Sequence, residues 1–437
     1  MNEPAGKLRR ELGISGAVVT GLGSILGTGV FVSIGIAAEV AGNGVVAAIV
    51  AAGVVAICNG LSSAQLAANH PVSGGTYEYG YRWLSPTLGF LAGWMFLCAK
   101  SASAATAALG FAGYVLRLAG SEQTGLLVPL ALLAVILLTI VTLLGIRRTS
   151  QVNITIVATT CLSLSTFVVF GVGTHFDEVI RWERLVPEEG SWSAFAQATG
   201  LMFVAYTGYG RIATLGEEVQ QPRRTIPLAV IVTLLISMGL YAAVALVAVQ
   251  IVGAERLAEL TRTSAAPLEA IAGEMGVPGL PLLLAVGAVT AMLGVLLNLL
   301  LGLSRVVLAM GRRGDLPTSF SAVHASSGVP WAATLLVAAI IAGIAAVGSV
   351  RLAWSFSAFT VLVYYAITNA CALRLRPAER LYPVWIPVLG LVSCLSLALW
   401  VEREIAIAGG AVLLVGLGWH GIARRRFYAQ PKQNEAN

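Results

Sequence analysis

The sequence predicts an all-α polytopic membrane protein with about twelve transmembrane helices. Three observations carry this expectation. Only 11% of the 437 residues are charged and 57% are hydrophobic, with a mean hydropathy of +0.84, whereas soluble domains carry roughly a quarter charged residues. Apolar runs of the ~20 residues that a helix needs to cross a hydrocarbon core recur along the chain. The loops between these runs sort by charge as the positive-inside rule expects.

Taken in order, residues 1–11 form a cytoplasmic segment with Lys7, Arg9, Arg10 and two glutamates. The apolar stretch behind them outruns a signal-peptide core, so it reads as an uncleaved first span. The spans are expected at 14–38, 44–68, 86–118, 125–145, 152–173, 194–216, 227–252, 279–310, 331–349, 352–374, 383–400 and 405–423. Arg9, Arg10, Arg82, Arg147, Arg148, Arg223, Arg224, Arg312, Arg313, Arg374, Arg376, Arg380 and Arg424 to Arg426 then fall on one side. Asp177, Glu178, Glu188, Glu189, Glu255, Glu259, Glu274, Glu402 and Glu404 fall on the other. An even number of spans puts both termini in the cytoplasm of a cell (inner) membrane protein. The tail, 424–437, is basic, polar and expected to be disordered, with its arginines near anionic headgroups.

The net charge of +6 does not indicate nucleic acid, because the basic residues sit in short loops. The five cysteines lie inside apolar segments without ligand spacing, and read as packing residues. No cofactor, metal or obligate protein partner is implied. His175 and His324 fall in loops and His70 and His420 near membrane boundaries, where solvated roles are expected.

Two spans depart from ordinary membrane helices. The first contains Gly21-Leu22-Gly23-Ser24-Ile25-Leu26-Gly27-Thr28-Gly29, and glycine weakens a helix by about 1 kcal/mol per residue relative to alanine. The sixth contains Tyr206-Thr207-Gly208-Tyr209-Gly210-Arg211. Both are expected to break, and broken backbone at membrane depth is tolerable only where protein or a wet cavity supplies partners. Matched breaks in spans one and six point to an inverted repeat of five plus five helices, with the site between them. Half-helix N-termini offer N–H groups to a carboxylate, while unwound carbonyls accept from an ammonium. An α-amino acid carries both charges. The alternative reading is that the glycines only permit close helix packing.

Gly23-Ser24-Ile25-Leu26-Gly27-Thr28-Gly29-Val30-Phe31 resembles the GxxxGxGIF signature of the amino acid, polyamine and organocation (APC) superfamily. Pro71-Val72-Ser73-Gly74-Gly75-Thr76-Tyr77 resembles its segment before helix three, and Phe203 to Tyr209 with Glu217-Glu218 and Gln221 to Pro227 resembles its sixth helix and following tail. Ser304-Arg305 and Ala309-Met310 through Gly314-Asp315-Leu316-Pro317 are similar to the end of its eighth helix. The resemblance implies a LeuT-like fold: a ten-helix core at 12–375, with repeats at about 12–173 and 194–375, and two peripheral helices at 376–423. It implies that backbone around Ser24, Ile25, Gly27, Thr28 and Gly29 holds the substrate carboxylate, and that carbonyls of Phe203, Val204, Ala205 and Tyr206 receive the amine. Gly208 matches a position whose size sets room for the side chain. Val204 stands where several relatives carry an aromatic gate, so Phe203 or Tyr206 is expected to cover the site instead.

Lys100 lies near the middle of the third span, and the other lysines are Lys7 and Lys432. Ionisable groups at that depth are costly and usually functional. Some sodium-independent relatives use a lysine on helix five in place of sodium, at the position matching Thr160. Lys100 is therefore expected to supply that cation from another helix, or to exchange a proton, against a static role satisfied by carbonyls and hydroxyls such as Ser101 or Ser103. Arg211 is expected to pair with Glu217 or Glu218, with alternatives of a substrate side-chain carboxylate or of simply facing the cytoplasmic vestibule. Asn298 and Ser304 are lesser cation-site candidates.

A transporter explains the paired breaks and intramembrane cations. A channel would need rings of charge or a filter motif, and an intramembrane enzyme a nucleophile with its base or a metal cluster; none of these is apparent. A non-transporting amino acid sensor stays open. The expected substrate is a neutral amino acid, with an acidic amino acid or a polyamine or other amine as alternatives, moved by alternating access without sodium, as a proton symporter or exchanger.

Overall fold

A computed structural model describes residues 12–72, 74–121, 124–145, 150–175, 192–214, 219–264, 266–324 and 328–427. The expectations for segment 1–11, Ser73, Arg147, Arg148, Asp177, Glu178, Glu188, Glu189, Glu217, Glu218 and the tail beyond 427 fall outside these residues.

The described chain is helical throughout. In order run α1 (Ile14–Ile25), α2 (Ile34–Ala41), α3 (Val45–Asn69), α4 (Thr76–Trp83), α5 (Pro86–Leu118), α6 (Leu127–Leu143), α7 (Ser150–His175), α8 (Trp192–Tyr206) and α9 (Gly210–Thr214). They are followed by α10 (Pro222–Val252), α11 (Ala254–Thr263), α12 (Pro267–Glu274), α13 (Leu280–Arg313), α14 (Trp331–Ala346), α15 (Val350–Leu373), α16 (Trp385–Leu399) and α17 (Arg403–Phe427). Seven helical stretches are long and apolar enough to cross a membrane, and four shorter apolar helices accompany them. Leu133, Ile136, Leu137 and Ile140 of α6 and Ile407, Leu414 and Val415 of α17 point outward and are exposed. An apolar exterior of this kind marks a membrane contact rather than a solvated surface.

Local sequence explains the ends of the central helix. Pro86 occupies the first turn of α5, where its missing N–H costs nothing, and the Ser85 side chain accepts from Leu88 N–H. α5 then runs for 33 residues through the middle of the molecule and packs on α13 and α15. α3 packs on α10, α6 on α14, and α1 on α10 and α7.

Charge separates the two ends of α5. At its start, Arg313 pairs with Glu78 of α4 at 2.6 Å. At its end, Arg117 pairs with Glu269 of α12 at 2.7 Å. Near that second end Arg351 bridges Glu39 (2.6 Å) and Glu402 (2.8 Å), so that α2, α15 and the α16–α17 turn are tied together.

One histidine departs from expectation. His420 is 3% exposed, stacked on Phe90 at 4.7 Å and 3.8 Å from the Asp315 carboxylate. It is buried rather than solvated, because α17 folds back over the start of α5. Asp315, 1% exposed, accepts from the Tyr77 hydroxyl at 2.6 Å and the Tyr81 hydroxyl at 2.7 Å. Hydrogen bonds to a buried charge are the strong ones. Asp315→Asn is therefore expected to destabilise the protein by about 2 kcal/mol, read as a lowered thermal midpoint in detergent.

Candidate functional site

The site begins where α1 stops. Leu26 still donates to Leu22 O, but its ψ of 108° turns the chain out of the helix. Helical pairing resumes when Val30 and Phe31 N–H both donate to Gly27 O, through a π-turn at Gly29–Ser33 that leads into α2. The first N–H groups of a helix have no partner within it, so the segment from Gly27 to Gly29 presents amides and a positive dipole end. Thr28 adds a hydroxyl that is buried and has no hydrogen-bond partner among the described residues.

The sixth span behaves differently from expectation. It does not open: it tightens from α8 into a 3₁₀ turn at Thr207–Tyr209 and continues as α9. The 3₁₀ geometry keeps backbone groups paired one residue closer, and the Thr207 hydroxyl donates to Val204 O at 2.7 Å. Glycine here serves proximity. A Cβ on Gly208 would fall 2.5 Å from the Ser24 carbonyl carbon, and one on Gly29 would fall 2.6 Å from the Ala205 Cβ. The Tyr241 hydroxyl closes the junction by donating to Ile25 O at 2.8 Å, with Ala205 O at 3.5 Å.

Beside this junction lies a cavity of about 730 Å³. Its wall combines the α1 break with Val204, Ala205, Thr207 and Gly208, the α5 face bearing Phe96, Lys100 and Ser103, the α13 face bearing Val295, Asn298 and Leu299, and Trp354 of α15. It extends to Glu78, Arg305, Arg312 and Arg313, of which Arg305 and Arg312 are exposed. A pocket of this size, largely apolar with a few convergent polar groups, has the character of a small-molecule site.

A family model described as "Amino acid permease" matches residues 16–420. The chain belongs to the amino acid permease family. An uncharacterized transporter of Mycobacterium tuberculosis is 42% identical to the permease over 418 residues, which cover 96% of this chain and 92% of that one. A branched-chain amino acid permease of Bacillus subtilis is 29% identical over 346 residues, covering 75% and 72%. A chloroplastic cationic amino acid transporter of Arabidopsis thaliana is 31% identical over 340 residues, covering 72% and 58%. The permease is thus a multi-pass membrane transporter of an amino acid-like substrate and not an enzyme.

Within the permease, Ser24, Ile25, Gly27, Thr28, Gly29, Val204, Ala205, Gly208, Lys100 and Arg211 all line the one cavity. Phe203, Tyr206 and Thr160 do not line it. Phe203 is fully buried edge-on to Tyr365, and Tyr206 donates to Ile49 O at 3.1 Å while its ring packs on Tyr241. Neither ring covers the site, since neither residue lines the cavity. Thr160, 1% exposed, turns its hydroxyl back to Ile156 O within α7. Gly208 lines the cavity, and its missing Cβ also makes room for the Ser24 carbonyl.

Lys100 meets a hydroxyl, as its static role would require, but not that of Ser101 or Ser103. Its Nζ donates to Thr207 Oγ1 at 2.6 Å, while Ser103 pairs with Ser357 and Ser101 Oγ has no partner among the described residues. The ammonium therefore bridges α5 to the 3₁₀ turn. Arg211 lies beside Gly302 of α13, and its expected partners Glu217 and Glu218 are outside the described residues. Sequence reading missed Phe96 and Trp354. Phe96 was accessible to it, since it stands one turn before Lys100 on the same α5 face; Trp354 carried no local signal.

Proposed function

We propose that this permease is a secondary transporter that carries an α-amino acid lacking a cationic side chain, uncharged side chains first and acidic ones second, across the cell membrane by alternating access and without sodium. The observation that carries the reading is the cavity joined to the α1 break, where free amides and the helix dipole suit a carboxylate. Val204 and Ala205 of α8 lie on the same wall, their carbonyls already accepting from the Thr207 and Tyr241 hydroxyls. Lys100, Arg211 and the arginines of α13 line the rest, and the lining carboxylate, Glu78, is already held by Arg313. Like charges repel a lysine-like side chain, which argues against the substrates named for the Arabidopsis relative.

A LeuT-like arrangement is supported by the packing of elements that correspond between 12–173 and 194–375: α3 on α10, α5 on α13, and α6 on α14. α16 and α17 are then the peripheral pair. The cavity reaches the arginine-rich end of α13, whereas the Glu39–Arg351–Glu402 ion pairs that tie α2 to α15 do not line it. Under the positive-inside rule this is an inward-facing state with both termini in the cytoplasm. Lys100, fixed between α5 and the sixth span, supplies the positive charge that a coupling sodium would bring, and proton symport or exchange remains for energy coupling.

Proteoliposomes preloaded with unlabelled L-glutamine are expected to accumulate labelled L-glutamine by saturable counterflow, unchanged when sodium is replaced by choline. Stimulation by a sodium gradient would refute the sodium-free reading. Absence of counterflow with every amino acid offered would refute transport of this class.

A further inference from the structure

We infer that Lys100 selects the substrate side chain, favouring amino acids whose side chain ends in an acceptor oxygen, a carboxamide or a carboxylate. The inference rests on the reading that the cavity at the α1 break holds an α-amino acid. Lys100 is 7% exposed and lines that cavity. An ammonium has three N–H donors, and the partner found among the described residues is a single hydroxyl, that of Thr207. No described carboxylate lies within ion-pair distance of it, whereas Glu78 on the same wall is engaged by Arg313. A cation withdrawn from water costs several kcal/mol unless an acceptor meets it.

Neighbouring groups on the wall do not meet that need. Ser103, three residues on, donates to Ser357, whose hydroxyl in turn donates to Ala99 O, and the bond that Lys100 makes goes to Thr207 instead. Trp354 spends its indole N–H on Leu201 O and offers the cavity only its ring. Phe96, Val295 and Leu299 are apolar, and Asn298 is the other polar group of this part of the wall. A bound amino acid whose carboxylate sits on the α1 amides and whose ammonium lies on the α8 side directs its side chain away from both, toward the faces of α5 and α13. A terminal oxygen there completes the hydrogen bonding of Lys100. A methyl group leaves the ammonium dry, and a second ammonium is repelled. Sites built to pair a polar group discriminate strongly against analogues that lack it.

Equilibrium binding to the purified permease of L-glutamine, L-glutamate and L-norleucine, three side chains of similar length, tests this. The expected result is that glutamine or glutamate binds on the order of tenfold tighter than norleucine or better, as one charge-assisted hydrogen bond provides; which of the two leads separates carboxamide from carboxylate. In Lys100→Met the ratio is expected to fall to about one, and Lys100→Glu is expected to gain binding of L-lysine, a gain that also reports a folded protein. Norleucine binding as tightly as both others, or a preference that survives Lys100→Met, overturns the inference and leaves the amino acid site standing. Binding of none of the three overturns both.

Discussion

Gly208→Ala is expected to lower uptake by roughly tenfold or more while the protein still reaches the membrane. The added methyl would lie 2.5 Å from the carbonyl carbon of Ser24, closer still to its oxygen, and 2.7 Å from Ile25 Cγ1. Backbone cannot rotate aside as a side chain can, so α1 and the 3₁₀ turn must separate. Overpacking of this kind costs typically 1–3 kcal/mol, and here the strain falls on the junction that forms the cavity wall. Tyr241 would lose its simultaneous reach to Ile25 O and Ala205 O as the two elements part. Gly239→Ala supplies the contrast. A Cβ there meets nothing within 4 Å, and alanine favours a helix interior by about 1 kcal/mol over glycine, so uptake and thermal stability should hold or improve. Initial uptake rates normalised to the amount of protein in the vesicles check both. Equal behaviour of the two variants would mean that the contact between α1 and the 3₁₀ turn does not shape the site.

The same junction shows what a sequence can and cannot disclose. Apolar runs disclose helices directly, because hydropathy over ~20 residues is a local property; the span expected at 86–118 coincides with α5, whose Ser85-Pro86 start is also local. The α1 break was legible from glycine density. The sixth span was not, since Thr-Gly-Tyr-Gly reads equally as an unwound segment or a tight turn, and the choice depends on how near Ser24 lies. Lys100 announced itself by its depth in an apolar run, yet Thr207, its partner, stands more than a hundred positions away. His420 looked like a boundary residue because Phe90 and Asp315, which enclose it, come from α5 and the end of α13. α11 and α12 escaped notice for a different reason: α11 carries Glu255, Arg256, Glu259 and Arg262, so a search for apolar runs passes over it.

Lys100→Met is expected to separate transport from stability. Uptake should fall at least about tenfold at every pH, yet the thermal midpoint should stay level or rise. The reasoning runs from burial. A charged ammonium at 7% exposure has given up most of its hydration, and a single bond of 2.6 Å to Thr207 returns only part of it. Methionine has similar length, no charge and enough flexibility to fill the same groove between Phe96 and Ser103, so the fold loses a cost rather than a support. Replacing buried ions by apolar residues of like volume is often neutral or stabilising. Transport loses the element that pins α5 to the 3₁₀ turn and the charge that faces the cavity. A lysine kept for structure alone would give the reverse pattern, with a lowered midpoint and wild-type uptake. If Lys100 also exchanges a proton, whatever uptake the variant retains will have lost the pH dependence of the wild type, which a pH series of initial rates in proteoliposomes reads directly. Wild-type uptake by Lys100→Met across that series would remove Lys100 from the transport cycle.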